Sequence, residues 1–203
     1  MTRSVLSMND ALRNLLALLT IIVWPVVPLF WIPVHGFPRL FRKMGILTYV
    51  VPFVLWLPAG YFIFHSRAFL LHYRAGFPQW LNVAGFIVLA VGCALQLWTG
   101  KLLGLWGLMG LPEISKRVKS RLVAEGAFAV VRHPTYLSHT LIFSGVFMVT
   151  GVLAVGAITL ADFIVINAVI VPLEEKELTS RFDGEYDEYK KKVPRFFPRL
   201  RRR

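Results

Sequence analysis

Charge is absent from long stretches of this chain, and no other feature restricts its fold as strongly. Asn14 to Pro38 contains no Asp, Glu, Lys or Arg, and neither do Met44 to Phe64 or Ala75 to Gly100. From Pro134 to Leu173 the only charge is Asp162. A soluble domain places its apolar residues periodically among charged ones; here they come in blocks, in a chain that is 56% hydrophobic and 17% charged. A bilayer core is roughly 30 Å thick, so about 20 apolar helical residues cross it. The first three blocks each predict one crossing. The fourth predicts two, joined by a tight turn in the Gly-rich stretch Gly151 to Gly156. The expected fold is therefore all-α: a polytopic membrane protein with about five transmembrane helices, the last two a tight hairpin, and a polar C-terminal tail.

The first block does not read as a cleaved signal peptide. Its apolar stretch, Leu15 to Val34, exceeds a typical h-region, and Pro33, His35 and Pro38 stand where an A-x-A-like site would lie. It is expected to be a helix, irregular at Pro25 and Pro28. The single cysteine, Cys93, cannot form an internal disulfide and is expected to pack within the third helix. No Cys/His spacing of a metal site occurs, so no metal is expected.

A net charge of +12 raises the question of nucleic acid, and its placement answers it. With the tail inside, nineteen Lys and Arg fall on the cytoplasmic side and four on the other. The positive-inside rule then predicts a cytoplasmic C-terminus and an N-terminus across the membrane. Arg195, Arg199, Arg201, Arg202 and Arg203 are expected against anionic headgroups rather than nucleic acid.

Polar chemistry is left to two inside segments. One runs from Lys101 to Tyr136. It opens with a Gly-, Leu- and Trp-rich interfacial stretch to Pro112, passes the basic run Lys116 to Arg121, and closes Arg132-His133-Pro134-Thr135-Tyr136. Pro134 suits a first helical turn, where its missing N–H would be unpaired anyway. His133 then sits at a helix N-terminus, beside backbone donors that favour anions. The other segment is the tail, which opens Glu174-Glu175-Lys176-Glu177-Leu178. A hairpin of the last two helices brings Arg132, His133 and Tyr136 to Glu174 and Glu175. Taken singly, each has a plainer reading: Arg132-His133 as an interfacial anchor, Tyr136 in an aromatic belt, the glutamates marking where the helix leaves lipid.

The segment Leu122-Val123-x-x-Gly126-x-Phe128-x-x-x-Arg132-His133-Pro134-x-Tyr136 resembles the first signature of the isoprenylcysteine carboxyl methyltransferases, part of a wider group that includes phospholipid N-methyltransferases. Glu174-Glu175-x-x-Leu178, followed by Phe182, Glu185-Tyr186, Tyr189 and Val193-Pro194-Arg195, is similar to the second. The resemblance covers about the last 90 residues. It divides the chain into 1–112, three helices and an interfacial segment, and 113–203, a methyltransferase core whose tail binds cofactor. It implies S-adenosylmethionine as cofactor. Leu122, Val123 and Phe128 would line the adenosine side, His133, Pro134 and Tyr136 would form the binding turn, and Glu174 would hold the amino-acid portion. It also implies a lipophilic or prenyl-like acceptor methylated in a cytoplasmic site, with membrane lipids as surroundings. A carboxylate acceptor needs no general base, whereas a lipid amine would need one, with His133 or Glu175 the candidates and Arg132 beside them.

The chain departs from the family pattern at three points. Phe128 stands where Tyr is commoner. Phe182-Asp183-Gly184 shifts a glycine by one residue. Val169, Ile170 and Val171 occupy the region where members acting on prenylated cysteine carry an arginine. Gln96, His139 and Asn167 are the polar positions expected near an acceptor, Asn167 because seven residues return it to the face of Glu174. Gly85 and Gly92 are expected at a close helix contact. Two other classes compete: an NADPH-dependent membrane reductase of the sterol reductase type, and a non-catalytic protein on the same scaffold.

Overall fold

The computed structural model describes residues 10–115 and 121–197. Lys116 and most of the basic run after it, with Arg199, Arg201, Arg202 and Arg203, lie outside the described residues. Helices account for nearly all of what is described. The first crossing is α1 (Asp10–Val23) and α2 (Val26–Gly36), broken at Trp24-Pro25 as the prolines predict. The second is α3 (Pro38–Met44), a 3-10 turn, and α4 (Val50–His65); a short α5 (Arg67–His72) follows. The third is α6 (Gln79–Leu108), continued by α7 (Leu111–Ile114). Where the sequence predicts an interfacial stretch after Gly100, the helix instead runs on to Leu108, bent at Gly104 (φ 70°).

After α8 (Ala127–Val130), α9 (Pro134–Thr150) and α10 (Leu153–Val165) form the expected hairpin. A π turn over Ile166–Ile170 leads into α11 (Val171–Phe182), and α12 (Gly184–Lys192) ends the helices. Among the described residues, four helical runs are long and apolar enough to cross a bilayer: Asp10–Gly36, Pro38–His65, Gln79–Ile114 and Leu153–Phe182. With 17 residues, α9 spans about 25 Å at 1.5 Å per residue. It is the helix most enclosed by protein. Large apolar side chains such as Phe53, Phe62, Leu97 and Leu160 face outward on the other spans, as lipid contact requires and water would penalise. Cys93 also lies on this outer face instead of packing inside.

Small residues set the contact of α6 with α9. A Cβ at Gly145 would stand 2.6 Å from the Leu89 nitrogen, and one at Gly92 would stand 2.8 Å from the Ile142 nitrogen. Gly85 likewise abuts Met148. The backbones therefore touch, the arrangement that lets helices associate in lipid without a hydrophobic driving force. At the hairpin tip Gly151 adopts φ 68°, and a Cβ there would meet the Ala75 carbonyl at 2.5 Å. Asp162 is buried, and its Oδ1 accepts the Trp24 indole N–H at 3.0 Å from α1. Its role here is to tie two crossings together.

The chain after α12 returns to the start of α9. The backbone N–H groups of Arg132 and His133 donate to the carbonyls of Pro194 and Arg195 at 2.8 and 3.2 Å, and the Tyr189 hydroxyl donates to the Phe128 carbonyl at 2.6 Å. Tyr186, Tyr189 and Val193 bury against Leu122, Leu178 and Phe182. The tail is thus folded onto the inner end of the hairpin.

Candidate functional site

Pro134 takes the first turn of α9 and leaves His133 at the N-cap in a non-helical conformation (φ −122°, ψ 58°). That conformation turns the buried imidazole toward α11. There Nδ1 lies 3.5 Å from Glu174 Oε2 and Nε2 lies 3.1 Å from Glu175 Oε1. Burial alone would lower the His133 pKa, but the charges of Glu174 and Glu175 beside it, with the Glu175 hydrogen bond, hold it above its ordinary value.

The two glutamates do different things. Glu175 is buried behind the site and saturated: Oε1 accepts from Arg132 Nε and Nη2 at 3.1 and 2.8 Å, and Oε2 accepts from Arg195 Nη2 at 3.0 Å. Arg132 also donates to the Val193 carbonyl at 2.6 Å. Arg195, expected against headgroups, is instead part of this lock. Glu174 faces open space, and its Oε2 has the 3.5 Å contact with His133 Nδ1 but no hydrogen bond.

That space consists of two adjoining cavities of about 310 and 220 Å³, which share Glu113, Phe128, Arg132 and Glu174 on their walls. The larger is lined by Leu122 and Val123, with Tyr186 and Tyr189; burial raises both tyrosine pKa values. The smaller holds His133, Tyr136, His139 and Gln96. Thr135 Oγ1, His139 Nδ1, Glu113 Oε2 and Glu174 Oε2 are buried there with no hydrogen-bond partner. Buried polar atoms are nearly always satisfied, so a set of four around one hollow is what a polar ligand would complete.

Ten of the twelve residues singled out from sequence fall on this site: nine line its walls, and Pro134 shapes the turn. Glu175 lies behind the wall. Asn167 is not brought to the cavity; its amide donates to the Phe163 carbonyl of its own helix at 2.8 Å. The π turn is the reason, because it takes in an extra residue and so rotates everything beyond it by about 100° relative to an α-helix. Seven residues no longer amount to two turns. Sequence reading missed Glu113 and Arg181. Arg181 Nη2 lies 3.1 Å from Glu113 Oε1 and 3.4 Å from Glu177 Oε2, fixing α7 to α11. Their signal was a lone glutamate just past the Gly-rich stretch and an arginine at i+4 from Glu177.

The profile of the phospholipid methyltransferase family matches residues 80–185, which include both halves of this site. The chain is 31% identical to the cobalt-zinc-cadmium resistance protein CzcN of Cupriavidus metallidurans, over 70% of this chain and 71% of that protein. It is also 31% identical to the nickel-cobalt-cadmium resistance protein NccN of Alcaligenes xylosoxydans xylosoxydans, over 43% of this chain and 40% of that one.

Proposed function

This chain belongs to the phospholipid methyltransferase family, and from that premise we propose that it transfers a methyl group from S-adenosylmethionine to a lipophilic acceptor at the membrane boundary. The observation that carries the proposal is Glu174: a carboxylate whose Oε2 has a 3.5 Å ion-pair contact with His133 but no hydrogen bond, facing a cavity ringed by other polar atoms that lack one. The residues present fit such a cofactor. Glu174 would pair with its α-amino group, a charge-assisted contact strengthened by partial desolvation. Leu122, Val123 and Phe128 would take the adenosine side in the larger cavity. The cofactor supplies an electrophilic methyl on a sulfonium; the protein's contribution is to hold it, align the acceptor and exclude water.

Glu175 lines neither cavity and its oxygens are already taken by cations, which supports a positioning role for it and for Arg132. If the acceptor is an amine, His133 is the candidate base on the cavity wall, and it would act only as the neutral ring, a form its glutamates disfavour by raising its pKa. A carboxylate acceptor would need no base. Gln96 and His139 stand on the membrane side of Glu174 in the smaller cavity, where we place the acceptor. The charge distribution supports a cytoplasmic site. If the chain serves metal resistance, as the names of its relatives state of them, methylation of a membrane component is the chemistry it would contribute.

In detergent, S-adenosylhomocysteine should raise the unfolding temperature and NADPH should not, with Glu174→Ala removing the effect. Incubation with labelled methyl donor and total lipid extract should then label one lipophilic product, identified by mass spectrometry. Stabilisation by NADPH alone would favour the reductase reading, and equal donor binding by Glu174→Ala would refute the assignment of Glu174.

A further inference from the structure

A second polar cavity, of about 630 Å³, opens on a different face of α11. Glu174, Leu178 and Phe182 face the methyl-donor cavities, whereas Leu173, Lys176, Glu177 and Ser180 follow the i, i+3, i+4, i+7 spacing of a neighbouring stripe. Opposite that stripe stand the end of α2 and the start of α3, which contribute His35, Arg39 and Arg42.

His35 is the residue that needs explaining. It is 5% exposed, stacks on Trp31 with centroids 5.2 Å apart, and has no hydrogen-bond partner on either ring nitrogen. A buried imidazole left in that state costs stability unless something in the cavity accepts its N–H. The cavity is also cationic. Arg39, Arg42, Lys176 and Arg181 line it against one carboxylate, Glu177. Arg42 and Arg181 both engage Glu177, at 2.8 and 3.4 Å. Arg39 and Lys176 form no ion pair among the described residues, and the Ser180 hydroxyl adds a further donor from α11.

We propose that this cavity binds a phosphate group, held between His35 and Arg39 on one wall and Lys176 and Ser180 on the other. Donors from two facing elements call for an anion with acceptor oxygens pointing several ways, which phosphate has and a planar carboxylate has less of. The rim carries Phe37 and Leu40, 65% and 53% exposed. Phe37 joins the first two crossings and Leu40 lies in the first turn of the second, so an acyl chain could lie against them while its phosphate enters the cavity. The shared chemistry is phosphate, from a lipid headgroup or free in solution. The site does not depend on the methyl-donor reading.

The test uses the full chain in dodecyl maltoside, titrated calorimetrically with dioctanoyl phosphatidylglycerol, with inorganic phosphate, and with dioctanoylglycerol, which lacks the phosphate. Phosphatidylglycerol is expected to bind saturably and dioctanoylglycerol not. The Arg39→Ala/Lys176→Ala double variant and His35→Gln should each weaken binding by about tenfold or more, the loss of a charge-assisted contact or two. Affinity of the double variant for S-adenosylhomocysteine should not change, which also shows that it folds. Inorganic phosphate binding with the same sensitivity to the variants would assign the site to free phosphate, and its failure to bind beside a binding lipid would assign it to a headgroup. Absence of saturable binding by both, or equal affinity in wild type and both variants, overturns the proposal.

Discussion

Glu175→Ala tests whether the site is held together from behind. The carboxylate is buried and compensates two arginines and the His133 ring. Removing one partner of a buried pair costs roughly 3–5 kcal/mol, because the remaining charge is left without compensation. The low end applies here. The Arg195 side chain is 39% exposed and can turn to water, while that of Arg132 is 10% exposed and keeps its bonds to the carbonyls of Val193 and Lys190. We therefore expect a loss of about 3 kcal/mol, or a fall in unfolding temperature of roughly 6–12 °C for a chain of this length. Glu175→Gln keeps an acceptor but not the charge, and should lose about half as much. Both would be followed by tryptophan fluorescence during heating in detergent. Donor affinity should fall with the melting temperature in Glu175→Ala, since His133 loses one of its two anchors. An unfolding temperature within about 2 °C of wild type, below the shift for 1 kcal/mol, would refute the reasoning and make the cluster a solvated surface network.

Three further outcomes follow from single positions. His133 has a pKa raised above 6.5 by its glutamates, so the folded state binds its proton more tightly than the unfolded state. Its contribution to stability is full below pH 6.5 and is lost as pH rises through the folded value; melting curves of His133→Gln should be flatter than wild type across that window. Gly145→Val would drive side-chain atoms into the Leu89 backbone and should cost about 3 kcal/mol or more, seen as lost monodispersity on size-exclusion chromatography. Asp183 adopts φ 48°, ψ −139°, a glycine-type conformation. Asp183→Gly should therefore raise stability by about 1 kcal/mol, strain relief less the entropy of the added glycine, whereas an unchanged or lower melting temperature would contradict that account.

The parts of the fold visible in the sequence were those set by bulk solvent preference. Uncharged blocks gave the crossings, Pro25 located the break in the first, and the glycines at 85 and 92 marked the contact with α9. Topology then brought Arg132 and His133 to the glutamates, because two helices joined by a two-residue turn run antiparallel and share both ends. What the sequence hid depended on local geometry. The π turn over Ile166–Ile170 has no residue signature in an unbroken apolar run, so Asn167 was carried to the wrong face. Gly104 was legible as a glycine but not as a bend that continues α6. The shifted glycine near position 183 was visible as a departure, but the strained backbone it leaves on Asp183 was not. Arg195 read as one more basic tail residue because nothing in spacing says that the chain turns back onto residues 132–133.

The adjacent glutamates show how a site can be built from a single imidazole. Neighbouring residues on a helix point about 100° apart, so Glu174 and Glu175 cannot share one small partner on one side. A ring placed between them meets each with a different nitrogen, as His133 does. Nε2 is at hydrogen-bond distance from Glu175 and Nδ1 at a longer ion-pair distance from Glu174, so both carboxylates favour a proton on the ring and raise its pKa against burial. The His133 ring is therefore common to the carboxylate that faces the cavity and to the one that, through Arg132 and Arg195, holds the returning tail. A positively charged group arriving at Glu174 would compete for that carboxylate and weaken its hold on the ring. The cavity wall and the docked tail thus meet at one imidazole, which lies against Glu174, Glu175 and the Phe196 ring.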